Sequence, residues 1–182
     1  VRDTEALMAH LGLREAVVVG VSIGGLVAQG LAVKRLDLVR GLVLSNTGAK
    51  IGTPEIWGQR IDAVRAHGIG AVAGATLDRW FPPAFRAMPP ARLARNRLER
   101  TPLDGWLGCA AAISGTDFYT TTAGLRLPVL GIAGSEDGST PADLVRETVA
   151  LVPGSRFALL RGAGHLPCVD APEAWAGAIG EF

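Results

Sequence analysis

A chain of 182 residues with 18 lysines and arginines against 17 aspartates and glutamates is almost neutral at +1, so no bulk field draws it to nucleic acid or to an anionic membrane surface. With 48% apolar residues and a mean hydropathy of +0.29, it has material for one sizeable core; intrinsic disorder is excluded and a single domain is the default. No apolar run reaches membrane-spanning length, the start lacks a signal peptide's apolar stretch, and Cys109 and Cys168 show no C-x-x-C spacing; the expectation is a cytoplasmic protein without disulfide or zinc site, both cysteines serving as small packing residues.

Leu7, Met8 and Leu11 fall at helical spacing and predict a first helix over 4–11, closed by Gly12 as a left-handed C-cap. His10 near its end suits the helix dipole as a surface residue. Ala16-Val17-Val18-Val19 is a continuous β-branched run of the kind that forms a parallel strand buried on both faces. Gly20-Val21-Ser22-Ile23-Gly24-Gly25 follows, and Leu26 to Arg35 reads as helix. Strand, abrupt turn with a serine, then helix is the context of a G-x-S-x-G nucleophile elbow, where small neighbours let a strained turn lift the hydroxyl above the sheet edge. The Ile23 N–H opens that helix and can face a developing oxyanion. Gly41 to Asn46 is a second buried strand, one helix beyond the first as in a βαβ crossover.

From Thr47 to about Gly124 the chain offers helical pieces and turn signals but no convincing strand. Thr53-Pro54-Glu55 is a capped helix start, and that helix runs to His67 before stopping at Gly68. Three further helices are predicted over 71–77, 90–100 and 105–114, punctuated by Pro82-Pro83, Pro89-Pro90 and Thr101-Pro102. Trp57, Trp80, Phe81, Phe85 and Trp106 all fall in this insertion; an aromatic-rich cap over a site would look like this, as would ordinary cap core. The expected organisation is a core of residues 1–47 and 124–182 with a helical cap inserted at 48–123. Strands resume at 129–134 and 156–160. Thr140-Pro141-Ala142-Asp143 and Asp170-Ala171-Pro172-Glu173 read as helix starts capped by Thr140 and Asp170.

Ser22, Asp137 and His165 each follow the C-terminal end of a predicted parallel strand, the edge where sites in open α/β sheets assemble. Separately they read as a cap, a turn residue and a loop filler. Together, in the order Ser, Asp, His, they have the arrangement in which histidine activates a serine nucleophile and the acid fixes the imidazole. Glu136 is the rival acid; Asp137 is preferred because Asp-Gly suits the turn and lies nearer the following helix.

The elbow, Gly134 with Asp137 and Thr140-Pro141, and Gly164-His165 with Asp170-Ala171-Pro172 together resemble the α/β-hydrolase superfamily. Ser45-Asn46-Thr47-Gly48-Ala49-Lys50-Ile51-Gly52-Thr53-Pro54-Glu55-Ile56-Trp57 closely resembles the segment leading into the cap of 3-oxoadipate enol-lactonases, and Arg79-Trp80-Phe81 is similar to part of that cap. The likeness implies the C-terminal half of an α/β-hydrolase fold with an inserted helical cap. It also implies cofactor-free, cytoplasmic opening of an enol-lactone ring to 3-oxoadipate in the β-ketoadipate pathway of aromatic breakdown. Ser22, Asp137 and His165 would be the triad, and Asn46, Trp57, Arg60, Arg79 and Trp80 substrate contacts. Arg60 or Arg79 would meet the free carboxylate of the lactone, since guanidinium pairs well with carboxylate. Arg92, Arg95, Arg97 and Arg100 read as a solvated helix face.

Members of the superfamily carry several strands before the elbow, and one oxyanion donor sits on an earlier loop; here one helix and one strand precede Ser22. The four strands are therefore expected to be the second half of a larger sheet, with the first left as an exposed edge. With Ile23 as the one donor, these residues alone should turn over poorly, since losing a donor costs about a hundredfold or more. Other readings of the same motifs are a carboxylesterase, a carbon–carbon bond hydrolase, a cofactor-free haloperoxidase, or a noncatalytic binding scaffold.

Overall fold

The computed structural model describes residues 1–182. In chain order the elements are α1 (Arg2–His10), β1 (Ala16–Val21), α2 (Ile23–Lys34), β2 (Val39–Ser45), α3 (Pro54–His67), α4 (Gly70–Trp80), α5 (Pro83–Arg86), α6 (Pro89–Glu99), α7 (Leu103–Ser114), α8 (Tyr119–Ala123), β3 (Val129–Gly134), α9 (Ala142–Ala150), β4 (Arg156–Leu160), α10 (Pro167–Asp170) and α11 (Pro172–Gly180). The four strands form one wholly parallel sheet in the order β1-β2-β3-β4. Parallel strands need crossovers, and helices supply them on both faces.

Alternation along β2 shows how the sheet is covered. Leu42 and Leu44 join Ala28, Leu31 and Ala32 of α2 and Val149 of α9 in the largest apolar cluster. Val43, with Leu130 and Ile132, turns to the opposite face and meets Trp175, Ala178 and Ile179 of α11. β1 lies at the edge, and here the expectation of a doubly buried strand fails. Val17 and Val19 are 36% and 40% exposed because Val19, opposite Val43 in register, faces the side that α11 covers only as far as the inner strands. The expected exposed edge is seen in the strand order, where β1 stands at one end of the sheet and pairs only with β2.

Helices α3 to α8 all lie between β2 and β3. α3 begins with the Thr53 side chain accepting from the Ile56 N–H and ends at Gly68 with φ 75°, as its cap, proline and glycine predict. α3, α4, α6 and α7 share a second core around Val64, Ala73, Leu77, Phe81 and Leu98. Arg92, Arg95, Arg97 and Arg100 are exposed, as are His10 and His67. The two cysteines depart from expectation: Cys109 is exposed and Cys168 half-buried, so neither fills a core. No helix is long and apolar enough to cross a membrane.

Two predicted caps are not caps. α9 starts after Pro141 without a side-chain cap, because the Thr140 hydroxyl donates to Asp137 Oδ2 at 2.7 Å. α11 starts after Ala171, also uncapped, because Asp170 Oδ2 accepts the Gly164 N–H at 2.7 Å.

Candidate active site

Each strand delivers one polar residue just beyond its C-terminal end: Ser22 after β1, Asn46 after β2, Asp137 beyond β3 and His165 beyond β4. Ser22 has φ 54° and ψ −121°, a region that disfavours any residue with a Cβ. Its strain is held by several contacts. The Ser22 N–H donates to the Ser45 carbonyl at 3.0 Å, and the Thr47 hydroxyl donates to the Ser22 carbonyl at 2.7 Å. The glycines around it are steric requirements: a Cβ on Gly20 would stand 2.2 Å from the Gly24 carbonyl oxygen, and one on Gly25 2.5 Å from the Thr47 side chain. Ile23 opens α2, where first-turn N–H groups have no partner inside the helix.

His165 Nε2 lies 2.9 Å from Ser22 Oγ, and His165 Nδ1 lies 2.9 Å from Asp137 Oδ2. The carboxylate that meets His165 is thus that of Asp137, while Glu136 is exposed. Because Asp137 and His165 are 6% and 2% exposed, water does not compete for either. Asp137 Oδ1 accepts the N–H groups of Ser139 at 2.7 Å and Thr140 at 3.0 Å; Oδ2 accepts from Asn46, Thr140 and His165. Burial pushes the Asp137 carboxyl up, but His165, the Thr140 N–H and the Asn46 amide together hold it below its ordinary value. Asp170 goes the other way: burial raises it and the Asp137 charge adds to the rise, against the Gly164 N–H.

The end of α4 closes the arrangement. The carbonyl of Arg79 accepts the Gly138 N–H at 3.0 Å, and that of Trp80 accepts the His165 N–H at 2.7 Å. The Trp80 ring stacks on the imidazole at 6.2 Å between centroids.

Above Ser22 and His165 opens a cavity of about 180 Å³, lined among others by Trp57, Arg60, Arg79, Trp80, Trp106 and Cys109. The Trp57 indole N–H donates to the Ile51 carbonyl at 2.7 Å, fixing a ring over which the Arg60 guanidinium sits at 4.8 Å. Arg79 has only the Thr76 hydroxyl, at 3.2 Å. Neither arginine forms an ion pair. Burial lowers both below the usual guanidinium range, and the charge of Arg79 lowers Arg60 further. Two half-buried cations therefore line the cavity without an ion-pair partner, Asp78 acting on Arg79 only as a more distant charge.

Four of the five expected substrate contacts, Trp57, Arg60, Arg79 and Trp80, line this cavity; Phe81 and Phe85 belong to the helical core instead. Asn46 does not line it. It is wholly buried beneath Asp137, donating to Asp137 Oδ2 at 2.9 Å, because β2 lies between the strands that carry Ser22 and Asp137. Thr47, Thr140 and Asp170 were not expected in the site at all, although each sits within a few residues of a strand's end, of Asp137 or of His165. No group of three or more His, Cys, Asp and Glu side chains is placed to share a metal ion.

A parallel sheet with an elbow serine, an acid and a histidine at its C-terminal edge defines a class, and the chain belongs to the alpha/beta hydrolase family, whose model matches residues 1–178. Among its relatives, 3-oxoadipate enol-lactonase 2 of Acinetobacter baylyi is 30% identical over 179 residues, covering 97% of this chain and 67% of that protein. The crystal structure of the enol-lactonase from Burkholderia xenovorans LB400 superposes with a TM-score of 0.94 at 30% identity, covering 99% of this chain and 70% of that one. A thermophilic esterase from Thermogutta terrifontis, described with malate bound, gives 0.88 at 31% identity, covering 96% and 67%. The chain spans about two thirds of the length of the curated enol-lactonases it matches.

Proposed function

We propose that the chain is the catalytic part of a serine hydrolase that opens an enol-lactone bearing a carboxylate, with 3-oxoadipate enol-lactone the substrate that fits best. The observation that carries this reading is the hydrogen-bonded run Asp137–His165–Ser22 ending beneath a small cavity that holds two unpaired arginines. The enol-lactonase relatives supply the particular substrate; the malate bound to the Thermogutta esterase is consistent with small carboxylates in this fold.

In the proposed mechanism Ser22 Oγ attacks the lactone carbonyl while His165 Nε2 takes its proton. The carbonyl oxygen becomes an oxyanion facing the Ile23 N–H. Collapse of the adduct breaks the ring C–O bond, and the departing enol oxygen receives the proton from His165. The enol then tautomerises to a ketone, which draws ring opening forward. In the second half a water gives a proton to His165 and adds to the acyl carbonyl. The ester to Ser22 breaks as the proton returns to Oγ, releasing a second carboxylate. Asp137 keeps the imidazole in the tautomer with Nε2 free to accept. Arg60 and Arg79 hold the carboxylate already present on the lactone, with Trp57 and Trp80 flanking the ring.

Loss of enol-lactone absorbance, followed in the protein and in Ser22→Ala, tests this directly. The substitution should lower the rate by at least about a thousandfold and abolish labelling by a fluorophosphonate. An unaffected Ser22→Ala would sink the serine mechanism. A labelled protein that hydrolyses simple esters, cleaves a diketone or halogenates with peracid, but leaves the lactone closed, would overturn the substrate alone.

A further inference from the structure

We propose that Asn46 is the positioning residue of the triad, and that its orientation is set from the far face of the sheet by a one-way chain of donors, Trp175 to Ser45 to Asn46 to Asp137. The inference rests on the triad reading above. The Trp175 Nε1–H of α11 donates to Ser45 Oγ at 3.1 Å; Ser45 Oγ donates to Asn46 Oδ1 at 2.8 Å; Asn46 Nδ2 donates both to Asp137 Oδ2 at 2.9 Å and to the Gly164 carbonyl at 3.0 Å. Asn46 and Ser45 are 0% exposed. A buried primary amide is costly unless its donors and acceptor are matched, and here both ends are.

The chain has a fixed polarity. An indole N–H can only donate, so Ser45 must turn a lone pair to Trp175 and its proton to Asn46. That leaves the amide oxygen toward Ser45 and the NH₂ toward Asp137; the flipped amide would set a carbonyl oxygen against a carboxylate. One NH₂ group thus grips the acid at the oxygen that also receives His165 Nδ1, and grips the carbonyl of Gly164, the residue before His165. The backbone joins in: Asn46 has φ 48°, the left-handed region that asparagine tolerates better than most residues, and its N–H donates to the Ile132 carbonyl at 2.8 Å in the neighbouring strand. Since Asn46 touches the acid and the base's loop but not the cavity, it should govern turnover and leave substrate binding alone.

The test is the hydrolysis of para-nitrophenyl acetate by Asn46→Ala, Asn46→Asp and Trp175→Phe, with kcat and KM measured across pH. Asn46→Ala should lose about tenfold or more in kcat with KM within about twofold, the scale of a lost hydrogen bond to a charged group. Asn46→Asp sets a second carboxyl 2.9 Å from Asp137. While protonated it can still donate; once ionised it repels, so its kcat relative to the parent should fall about tenfold between about pH 6 and pH 9. A residue that merely completed the turn would give a ratio flat in pH. Trp175→Phe keeps the ring and removes the N–H, and should cost about two- to fivefold in kcat with KM unchanged. A parent-like kcat in Asn46→Ala, a flat ratio for Asn46→Asp, or losses carried by KM would overturn the inference. If the Asn46 variants fail to fold, unchanged kcat in Trp175→Phe overturns it. Ser22→Ala separates the two readings: if it stays active the triad itself is wrong, whereas an inactive Ser22→Ala beside a parent-like Asn46→Ala removes only the positioning role.

Discussion

Replacing Arg79 with methionine keeps most of the apolar stem and removes one of the two cations on the cavity wall. A carboxylate about 4 Å from one guanidinium interacts by about 4 kcal/mol at an effective dielectric constant of about 20. Both arginines are only half-buried, so water and salt discount this, and the net value of one charge-assisted hydrogen bond is about 1.5–3 kcal/mol. At about 1.4 kcal/mol per decade that is a ten- to hundredfold loss in kcat/KM. Arg60→Met should fall at the lower end, because Arg60 already sits over the Trp57 ring whereas the remaining Arg79 is held only by the Thr76 hydroxyl and is free to meet the carboxylate. The assay compares two para-nitrophenyl esters of equal length, the mono-ester of adipate with its free carboxylate and the same ester with that carboxylate methylated. Both variants should lose activity on the charged ester while staying within about twofold on the neutral one, and raised salt should weaken only the charged reaction. Equal losses on both esters, or none on either, would refute the carboxylate wall.

Two further outcomes are expected. Gly134→Ala places a Cβ 2.2 Å from the Gly164 carbonyl oxygen and 2.4 Å from that of Ala163; the clash must part β3 from the loop that carries His165, so fluorophosphonate labelling of Ser22 should slow even where circular dichroism shows the fold retained. The Asp137 carboxyl is held below its ordinary 3.8, so the stability it contributes is fully present above that value and is lost as pH falls through its folded value. Thr140→Val removes one donor from Oδ2, and in urea unfolding series the acid limb of stability should move to higher pH while the neutral plateau shifts by about 1 kcal/mol. An acid limb that stays in place would count against the role assigned to Thr140.

What could be read from the residues, and what could not, divides along the range of the interactions. β3 matches its predicted bounds because Val129-Leu130-Gly131-Ile132-Ala133 is a continuous apolar run, and α3 matches because Thr53-Pro54 and Gly68 mark its ends within the chain itself. The order of Ser22, Asp137 and His165 and their place after strands pointed to one sheet edge, and there their side chains meet. α5 and α8 escaped notice because they have four and five residues, too few to show a period, and Pro82-Pro83 reads as punctuation. Thr140 and Asp170 satisfy every local rule for a cap, yet neither caps its helix. Each is taken up by a partner a few residues back in its own loop, which the cap rules do not weigh: Thr140 by Asp137, the carboxylate held against His165, and Asp170 by the Gly164 N–H. Asn46 illustrates the same limit at longer range, since Asp137 is 91 residues away and no neighbouring residue signals it. Cys109 reads as filler on an apolar helix, yet it is exposed and borders the cavity.

The two carbonyls at the end of α4 bear on how a substrate gets in and out. Arg79 and Trp80 hold the backbone of Gly138 and of His165, so α4 cannot swing outward as an independent lid without releasing the loops on which the acid and the base ride. The end of α4 is thereby part of the frame of the site, and strain placed on that helix reaches the Asp137 loop and His165 through two backbone hydrogen bonds. A change that shifts the end of α4 therefore perturbs the spacing of Asp137 and His165 without touching either side chain.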